Sequence, residues 1–62
     1  MKKPYLLALD DDTAVLKAME RDLRAKFSGQ YRIVSSDSPA KALELVRQLT
    51  ARGDYVALFL VD

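Results

Sequence analysis

The chain has 62 residues, of which half are apolar and 31% are charged, a composition typical of one small globular domain rather than of a disordered tail. Ten Lys and Arg stand against nine Asp and Glu. Because the two signs are interspersed, nothing indicates nucleic acid or an anionic membrane as a partner. The sequence contains no Cys and no His, which excludes disulfides, thiolate and imidazole catalysis and the usual zinc sites.

The amino terminus begins like a secretory signal, with two lysines before an apolar run, but the run is too short. It covers only residues 5–9 and ends in three aspartates, whereas the apolar region of a signal peptide needs about seven to fifteen residues. No stretch approaches the roughly 20 apolar residues that span a bilayer. We therefore expect a soluble, cytoplasmic chain with no membrane partner.

The first half of the chain predicts a strand, a helix and a turn. Residues 5–9 form a continuous apolar run, which is typical of a strand covered on both faces of a parallel sheet. Asp12 is a good N-cap for the helix that follows, and Gly29 is suited to the left-handed position that ends it. The apolar residues of this helix recur at helical spacing and predict a buried stripe: Val15, Leu16, Met19, Leu23 and Phe27.

The second half predicts a strand, a helix and another strand. Residues 31–34 indicate the second strand, and residues 35–37 a loop. Ser38 followed by Pro39 is a strong helix start, and Gly53 ends that helix. Residues 55–61 are seven apolar residues in a row and predict a third strand with both faces covered. The buried stripe expected for the second helix consists of Ala42, Leu43, Val46 and Leu49.

The predicted order β-α-β-α-β indicates an α/β fold over residues 1–62, at most one small domain and more in keeping with part of one, and it restricts how the sheet is built. Crossovers of this kind are right-handed in nearly all proteins, so the three strands should be parallel. The second crossover either continues in the direction of the first or reverses around the first strand. Because the reversed order 2-1-3 covers both faces of the sheet with only two helices, we predict a three-layer α/β/α arrangement with that order.

Acidic residues follow two of the predicted strands. Asp10, Asp11 and Asp12 come after the first strand, and Asp62 ends the third. Carboxyl ends of parallel strands share one edge, neighbouring strands are about 4.8 Å apart, and ligands bind where the strand order reverses. Two carboxylates about 4 Å apart repel by roughly 4 kcal/mol at an effective dielectric near 20. Either one carboxyl stays protonated or a hard cation sits among them, and oxygen-only ligands favour Mg²⁺.

Helix capping is the alternative explanation for each of these residues. We predict that Asp12 is mainly a cap, and that Asp10 and Asp11 together form a site. Asp62 by itself favours neither interpretation.

Three stretches resemble the receiver domains of bacterial two-component response regulators. LALDDDTAVL at residues 7–16 looks like the opening of that family, with an apolar strand, an acidic pair and a helix that has Val-Leu in its first turn. SDSPAKALEL at residues 36–45 is similar to the start of the family's second helix, and LFLVD at residues 58–62 to the strand that delivers the phosphoacceptor. The resemblance implies a flavodoxin-like fold with strand order 2-1-3-4-5, of which this chain would be the N-terminal portion, truncated after strand three.

The resemblance also implies roles for the acidic residues. Asp62 would accept a phosphoryl group from the phosphohistidine of a sensor histidine kinase. Asp10, Asp11 and Asp62 would hold Mg²⁺, with Asp11 binding directly and Asp10 through water. Such a domain is a signalling phosphoprotein rather than an enzyme, and an output domain would follow it in the parent protein.

Receivers use further residues that the 62-residue sequence does not contain. These are a backbone carbonyl just past the phosphoacceptor, a Ser or Thr after strand four and a Lys after strand five. We therefore expect this chain on its own to bind Mg²⁺ weakly and not to be phosphorylated at a useful rate.

Two other functions remain open at the level of sequence. A haloacid-dehalogenase-type phosphatase would use Asp10 as nucleophile with Asp12 beside it, but Ala14 stands where that family has Thr or Val. The helix also starts too soon to leave room for that family's flap. The second alternative is a non-catalytic interaction module that keeps the receiver scaffold.

One further expectation concerns self-association. Residues 55–61 form a charge-free strand that lacks its outer neighbour, which is the kind of edge that natural proteins avoid exposing. We expect a dimer or a larger assembly through this strand.

Overall fold

The computed structural model describes residues 3–61; Asp62, the expected phosphoacceptor, lies outside the described residues. Its strands are β1 (Tyr5–Leu9), β2 (Arg32–Ser36) and β3 (Val56–Val61), and its helices are α1 (Thr13–Phe27) and α2 (Pro39–Ala51). The alternation of strands and helices is the one that the sequence predicts. Neither of the two described helices has the length and apolar character needed to cross a membrane.

The sheet has the predicted strand order. Its three strands are parallel and lie in the order β2-β1-β3, as in the first three strands of a flavodoxin-like fold. The β1–β2 ladder runs from Tyr5↔Arg32 to Leu9↔Ser36. The β1–β3 ladder contains one irregularity, because Tyr5 pairs with Val56 whereas Leu6 pairs with Leu58. The reversed arrangement is therefore confirmed.

The central strand forms the core. Leu6, Leu7 and Ala8 are at most 1% exposed. Successive residues of a strand point to opposite faces, so three buried residues in a row show that both faces of β1 are covered. The helices bury Leu16 from α1 and both Ala42 and Leu49 from α2. The Cα atoms extend 31 × 27 × 12 Å.

Local hydrogen bonds explain where the helices begin and end. The Asp12 carboxylate caps α1 and the Ser38 hydroxyl caps α2, with Pro39 in the first turn. Gly53 closes α2 with φ of 85°, a conformation that glycine adopts without strain. The prediction for Gly29 is wrong, since Gly53 alone among the described glycines has positive φ. The chain leaves α1 through a turn in which the N–H groups of residues 30 and 31 donate to the Phe27 carbonyl, at 2.9 and 2.8 Å.

The third strand differs most from expectation. The sequence predicts that both faces of residues 55–61 are covered, but the strand begins at Val56 and every residue after that one is exposed. The helices pack on β1 and β2, so within residues 3–61 β3 lies at one edge of the sheet with its faces largely exposed. Leu43 is a second correction. It was expected in the buried stripe of α2 but is 55% exposed, because that helix turns Ala42 and Leu49 towards the sheet instead.

Candidate functional site

Asp10 lies at the carboxyl edge of the sheet, directly after the central strand, and is held in place from two sides. It is only 6% exposed. Its backbone N–H donates to the carbonyl of Ser36 at 3.3 Å, and its Oδ1 accepts a hydrogen bond from the backbone N–H of Asp12 at 2.8 Å. Its second carboxylate oxygen accepts no hydrogen bond from residues 3–61. One oxygen therefore fixes the side chain while the other is available to a ligand.

The two aspartates that follow have different roles. Asp12 caps α1, since its Oδ1 accepts hydrogen bonds from the N–H groups of Ala14 at 3.0 Å and Val15 at 3.3 Å. This confirms the expectation that Asp12 is a cap. Asp11 is exposed and takes no part in capping. Asp10 and Asp11 are therefore the two acidic residues after β1 whose carboxylates do not cap a helix.

Sequence reasoning missed the contribution of Ser36, which it placed in a loop. In the structure Ser36 is the last residue of β2 and is 7% exposed. Its hydroxyl donates to the Ser38 carbonyl at 2.9 Å and accepts from the Ser38 N–H at 3.3 Å, while its own carbonyl accepts from Asp10. Ser36 thus joins the start of α2 to the aspartate. A run of short polar residues is typical of a loop. Serine also bonds to nearby backbone at the end of a strand, so the sequence alone does not distinguish a loop from a strand end here.

Strand β3 ends at the same edge of the sheet as β1. The β1–β3 ladder ends at the pair Leu9↔Val61, so Asp10 and Asp62 are each the residue that follows a paired position. Asp62 itself lies outside the described residues. Among residues 3–61, no three acidic side chains form a group that could hold a metal ion. Asp10 and Asp11 are therefore the described candidates for metal ligands.

A cavity of about 540 Å³ lies elsewhere, between α1 and α2 beside β2. Three of its charged side chains form hydrogen bonds or ion pairs. The Glu20 carboxylate accepts a hydrogen bond from the Ser35 hydroxyl and lies 3.5 Å from Arg24, and Lys41 lies 3.2 Å from Asp37. Asp10 and Asp11 do not line this cavity, although Ser36, whose carbonyl accepts the Asp10 N–H, does.

Comparisons of the chain with protein-family models, with curated proteins and with solved structures find no match. The class of protein is therefore defined by its architecture and its site. It is an α/β protein with a parallel sheet in which the order of strand addition reverses at β1. At the carboxyl end of that strand lie the buried, oriented carboxylate of Asp10 and the exposed carboxylate of Asp11.

Proposed function

We propose that the chain belongs to a response-regulator receiver, in which Asp62 accepts a phosphoryl group from a sensor histidine kinase in the presence of Mg²⁺. The observation that carries the proposal is the state of Asp10: buried, oriented by the Asp12 N–H, and placed directly after the central strand. The proposal includes a cytoplasmic location and an output domain in the parent protein.

The strand order supports a shared pocket for the acidic residues. Because β1 and β3 are parallel neighbours, their last paired residues, Leu9 and Val61, lie at the same edge of the sheet. Ligands of open α/β sheets bind in the crevice at this edge, at the point where the strand order reverses. That point lies between β1 and β3. Asp10 and Asp11 follow β1 in the sequence, and Asp62 follows β3.

The donor set fits a hard divalent cation. The chain has no His or Cys, so the available ligands are oxygens, which suit Mg²⁺. Asp10 has a carboxylate oxygen free of hydrogen bonds from residues 3–61, and Asp11 is exposed beside it. Asp10 and Asp11, with Asp62, would hold the ion. When bound, Mg²⁺ offsets the charge of the phosphoryl oxygens, as phosphoryl transfer generally requires.

Within this proposal the nucleophile is the carboxylate of Asp62. A carboxylate oxygen attacks phosphorus, the P–N bond of the phosphohistidine breaks, and the imidazole leaves with the bonding electrons, so an acyl phosphate forms. The Asp10 side chain is oriented at the start of α1 by the hydrogen bond that its Oδ1 accepts from the Asp12 N–H. Asp12 stabilises α1 and thereby keeps the β1–α1 connection short.

The structure gives two reasons to prefer this function over the phosphatase. α1 begins at Thr13, immediately after its cap, so no chain remains for a flap between β1 and the helix. Asp12, which the phosphatase would need beside the nucleophile, has its side chain fixed at the helix start, because its Oδ1 accepts both capping hydrogen bonds of α1.

The metal site is tested by titrating the ¹⁵N-labelled chain with Mn²⁺, whose unpaired electrons broaden nearby amide signals. We expect broadening to centre on residues 10–12 and on the end of β3, and to be reversed by excess Mg²⁺. Asp10→Asn and Asp11→Asn should each weaken this effect at least tenfold. Asp12→Asn is the matched control, since Asn caps a helix as well as Asp, and it should retain most of the binding.

Either of two results would refute the metal site. One is broadening that is equally strong at the remote, exposed Asp22. The other is an Asp12→Asn variant that loses as much binding as Asp10→Asn.

The phosphoacceptor is tested with acetyl phosphate and phosphorus NMR. We expect slow labelling of the 62-residue chain, with any acyl phosphate abolished by Asp62→Asn and only reduced by Asp10→Asn. Labelling that survives Asp62→Asn and disappears in Asp10→Asn would identify the phosphatase arrangement instead. Absence of any labelling together with absence of Mn²⁺ binding would favour the non-catalytic interaction module.

A further inference from the structure

The outer side of β2 is an edge of the sheet independently of any strand beyond β3. β2 lies at the end of the order β2-β1-β3, and in the 2-1-3-4-5 sheet of the proposed function the further strands are added beyond β3. We propose that this edge binds an extended peptide of another protein as an added strand, and that the peptide carries an acidic residue next to a basic one. The proposal rests on the strand order of the proposed function and not on its phosphoacceptor chemistry.

The backbone of β2 directs hydrogen-bonding groups away from the sheet. At the two ends of this strand, the Arg32 N–H and the Ser36 carbonyl bond to the residues that flank β1, at 2.9 and 3.3 Å. Because the bonding direction alternates along a strand, the N–H and C=O groups of Ile33 and Ser35 point outwards. Within residues 3–61 these four groups form no hydrogen bond across the outer edge. They are therefore available to an added strand.

The two helices leave a groove beside this edge. α1 and α2 pack on β1 and β2 rather than on each other, and the cavity of about 540 Å³ lies between them, with Ser35 and Ser36 in its lining. Leu16 of α1 and Leu45 of α2 supply apolar surface on its two sides. The groove thus combines free backbone groups with side-chain contacts, the two features on which recognition by strand addition depends.

The two walls of the groove carry opposite charges that have no partner. Lys17 lies on α1 and Glu44 on α2, and both are exposed residues of the lining. Within residues 3–61 neither forms an ion pair or a side-chain hydrogen bond. The groove therefore favours a ligand with an acidic group towards α1 and a basic group towards α2.

The alternation of side chains along a strand determines how far apart these two groups lie in the peptide. The Ser35 hydroxyl donates to Glu20 of α1, whereas the Ser36 hydroxyl bonds to the backbone of Ser38 at the start of α2. Side chains opposite one another on paired strands share a face, so adjacent peptide residues also face different helices. An acidic residue next to a basic one then places one charge on each wall. Two charges separated by one residue lie on the same wall.

A second copy of the chain fits this edge less well than such a peptide. Pairing of β2 with β2 about a two-fold axis would put the α1 helices of both copies on one face of the sheet and the α2 helices on the other. The unpaired Lys17 side chains of the two copies would then share a face, and so would those of Glu44. Like charges brought together repel, whereas a peptide with adjacent opposite charges matches both walls.

Titration of the ¹⁵N-labelled chain with two acetylated, amidated hexapeptides of equal composition tests the docking. Thr-Val-Glu-Lys-Val-Thr presents its charges on opposite faces, and Thr-Glu-Val-Lys-Val-Thr presents both on one face. For the first we expect the largest amide shift changes at Ile33 and Ser35. The interface is well below standard size, so its dissociation constant should be on the order of 0.1 mM. The second should bind at least fivefold more weakly. Equal binding of the two peptides, or unchanged signals at Ile33 and Ser35, would overturn the proposal.

Charge reversal in the walls provides a second test. Lys17→Glu and Glu44→Lys should each weaken binding of the first peptide at least fivefold, because one peptide charge then meets a like charge. The double variant should restore binding, since a shift of the peptide by one residue exchanges the walls that its charges face. Arg47→Glu is the matched control. This exposed residue of α2 does not line the groove, and its reversal changes the net charge as much as Lys17→Glu does.

Three results of these experiments would refute the peptide site. They are an Arg47→Glu variant that loses as much binding as Lys17→Glu, a double variant that stays weak, and shift changes at Ile33 and Ser35 when the chain is diluted without peptide. The last result would assign the edge to a second copy. Circular dichroism verifies that each variant is folded, and Lys17→Gln replaces Lys17→Glu if the latter unfolds. The Mn²⁺ titration is measured at residues 10–12, so failure of the peptide site is distinguished from failure of the proposed function.

Discussion

At the level of single residues, Asp10 connects the fold to the proposed chemistry. One carboxylate oxygen accepts the Asp12 N–H and so fixes the turn between β1 and α1. The side chain is also the more buried of the two candidate metal ligands. Because one oxygen accepts the Asp12 N–H and the other is available to a ligand, substitutions can separate the contribution of Asp10 to stability from its proposed contribution to metal binding.

Asp10→Ala should destabilise the fold more than Asp10→Asn does. Alanine leaves the Asp12 N–H without its acceptor, and an unpaired, partly buried donor costs about 1–2 kcal/mol. Asparagine keeps a side-chain carbonyl that can accept the same bond, so its change should stay within about 0.5 kcal/mol. Urea unfolding followed by circular dichroism measures both variants. Equal midpoints for the two would mean that the bond from Asp12 does not contribute to stability.

At the level of elements, the two glycines that follow the helices are not equivalent. Gly53 has a φ of 85° and closes α2, whereas Gly29 follows α1 without a positive φ. A Cβ added at either position would meet no atom within 4 Å. Backbone conformation, rather than space, therefore decides what each position tolerates.

Gly53→Ala should destabilise the chain by about 1 kcal/mol, because an L side chain in the left-handed region is strained. Gly29→Ala should be neutral or stabilising by up to about 1 kcal/mol, since it reduces the freedom of the unfolded chain at no conformational cost. Thermal unfolding of both variants at one protein concentration provides the comparison. A larger loss for Gly29→Ala than for Gly53→Ala would contradict this account of the two helix ends.

At the level of the whole molecule, stability depends on β1. This strand lies between the other two, and Leu6, Leu7 and Ala8 are nearly inaccessible to solvent. A chain of this length has a total stability of roughly 3–9 kcal/mol, so one buried side chain accounts for a large fraction of it. The peripheral β3 contributes less to this core, because its side chains stay largely in solvent.

Leu7→Ala should remove about 2–5 kcal/mol, the usual effect of a cavity in a packed core, and should leave little or no folded protein at 37 °C. The same deletion at Leu43, which is 55% exposed, should change stability by less than about 1 kcal/mol. Amide hydrogen exchange and urea unfolding midpoints measure the loss of stability in both variants. Comparable losses at the two positions would show that β1 is not the centre of the core.

Local signals in the sequence determined much of this protein. Asp12 and Ser38 were identified as caps, and Gly53 as the end of α2, because each depends on hydrogen bonds or a φ angle within a few residues. Strand order also followed from the sequence, since right-handed crossovers and the need to cover both faces of a sheet with two helices leave one solution.

Only the tertiary structure decided which of the apolar residues with a predicted buried position are exposed. The uniform apolar run of β3 is the same whether or not its faces are covered, so its exposure depends on where the two helices lie. For the same reason the sequence did not distinguish Leu43 from Ala42, or show that Ser36 is a buried link between Asp10 and α2. Helical spacing indicates one apolar face of a helix, but the burial of each residue depends on packing against elements that are distant in the chain, and the local sequence does not show where those elements lie.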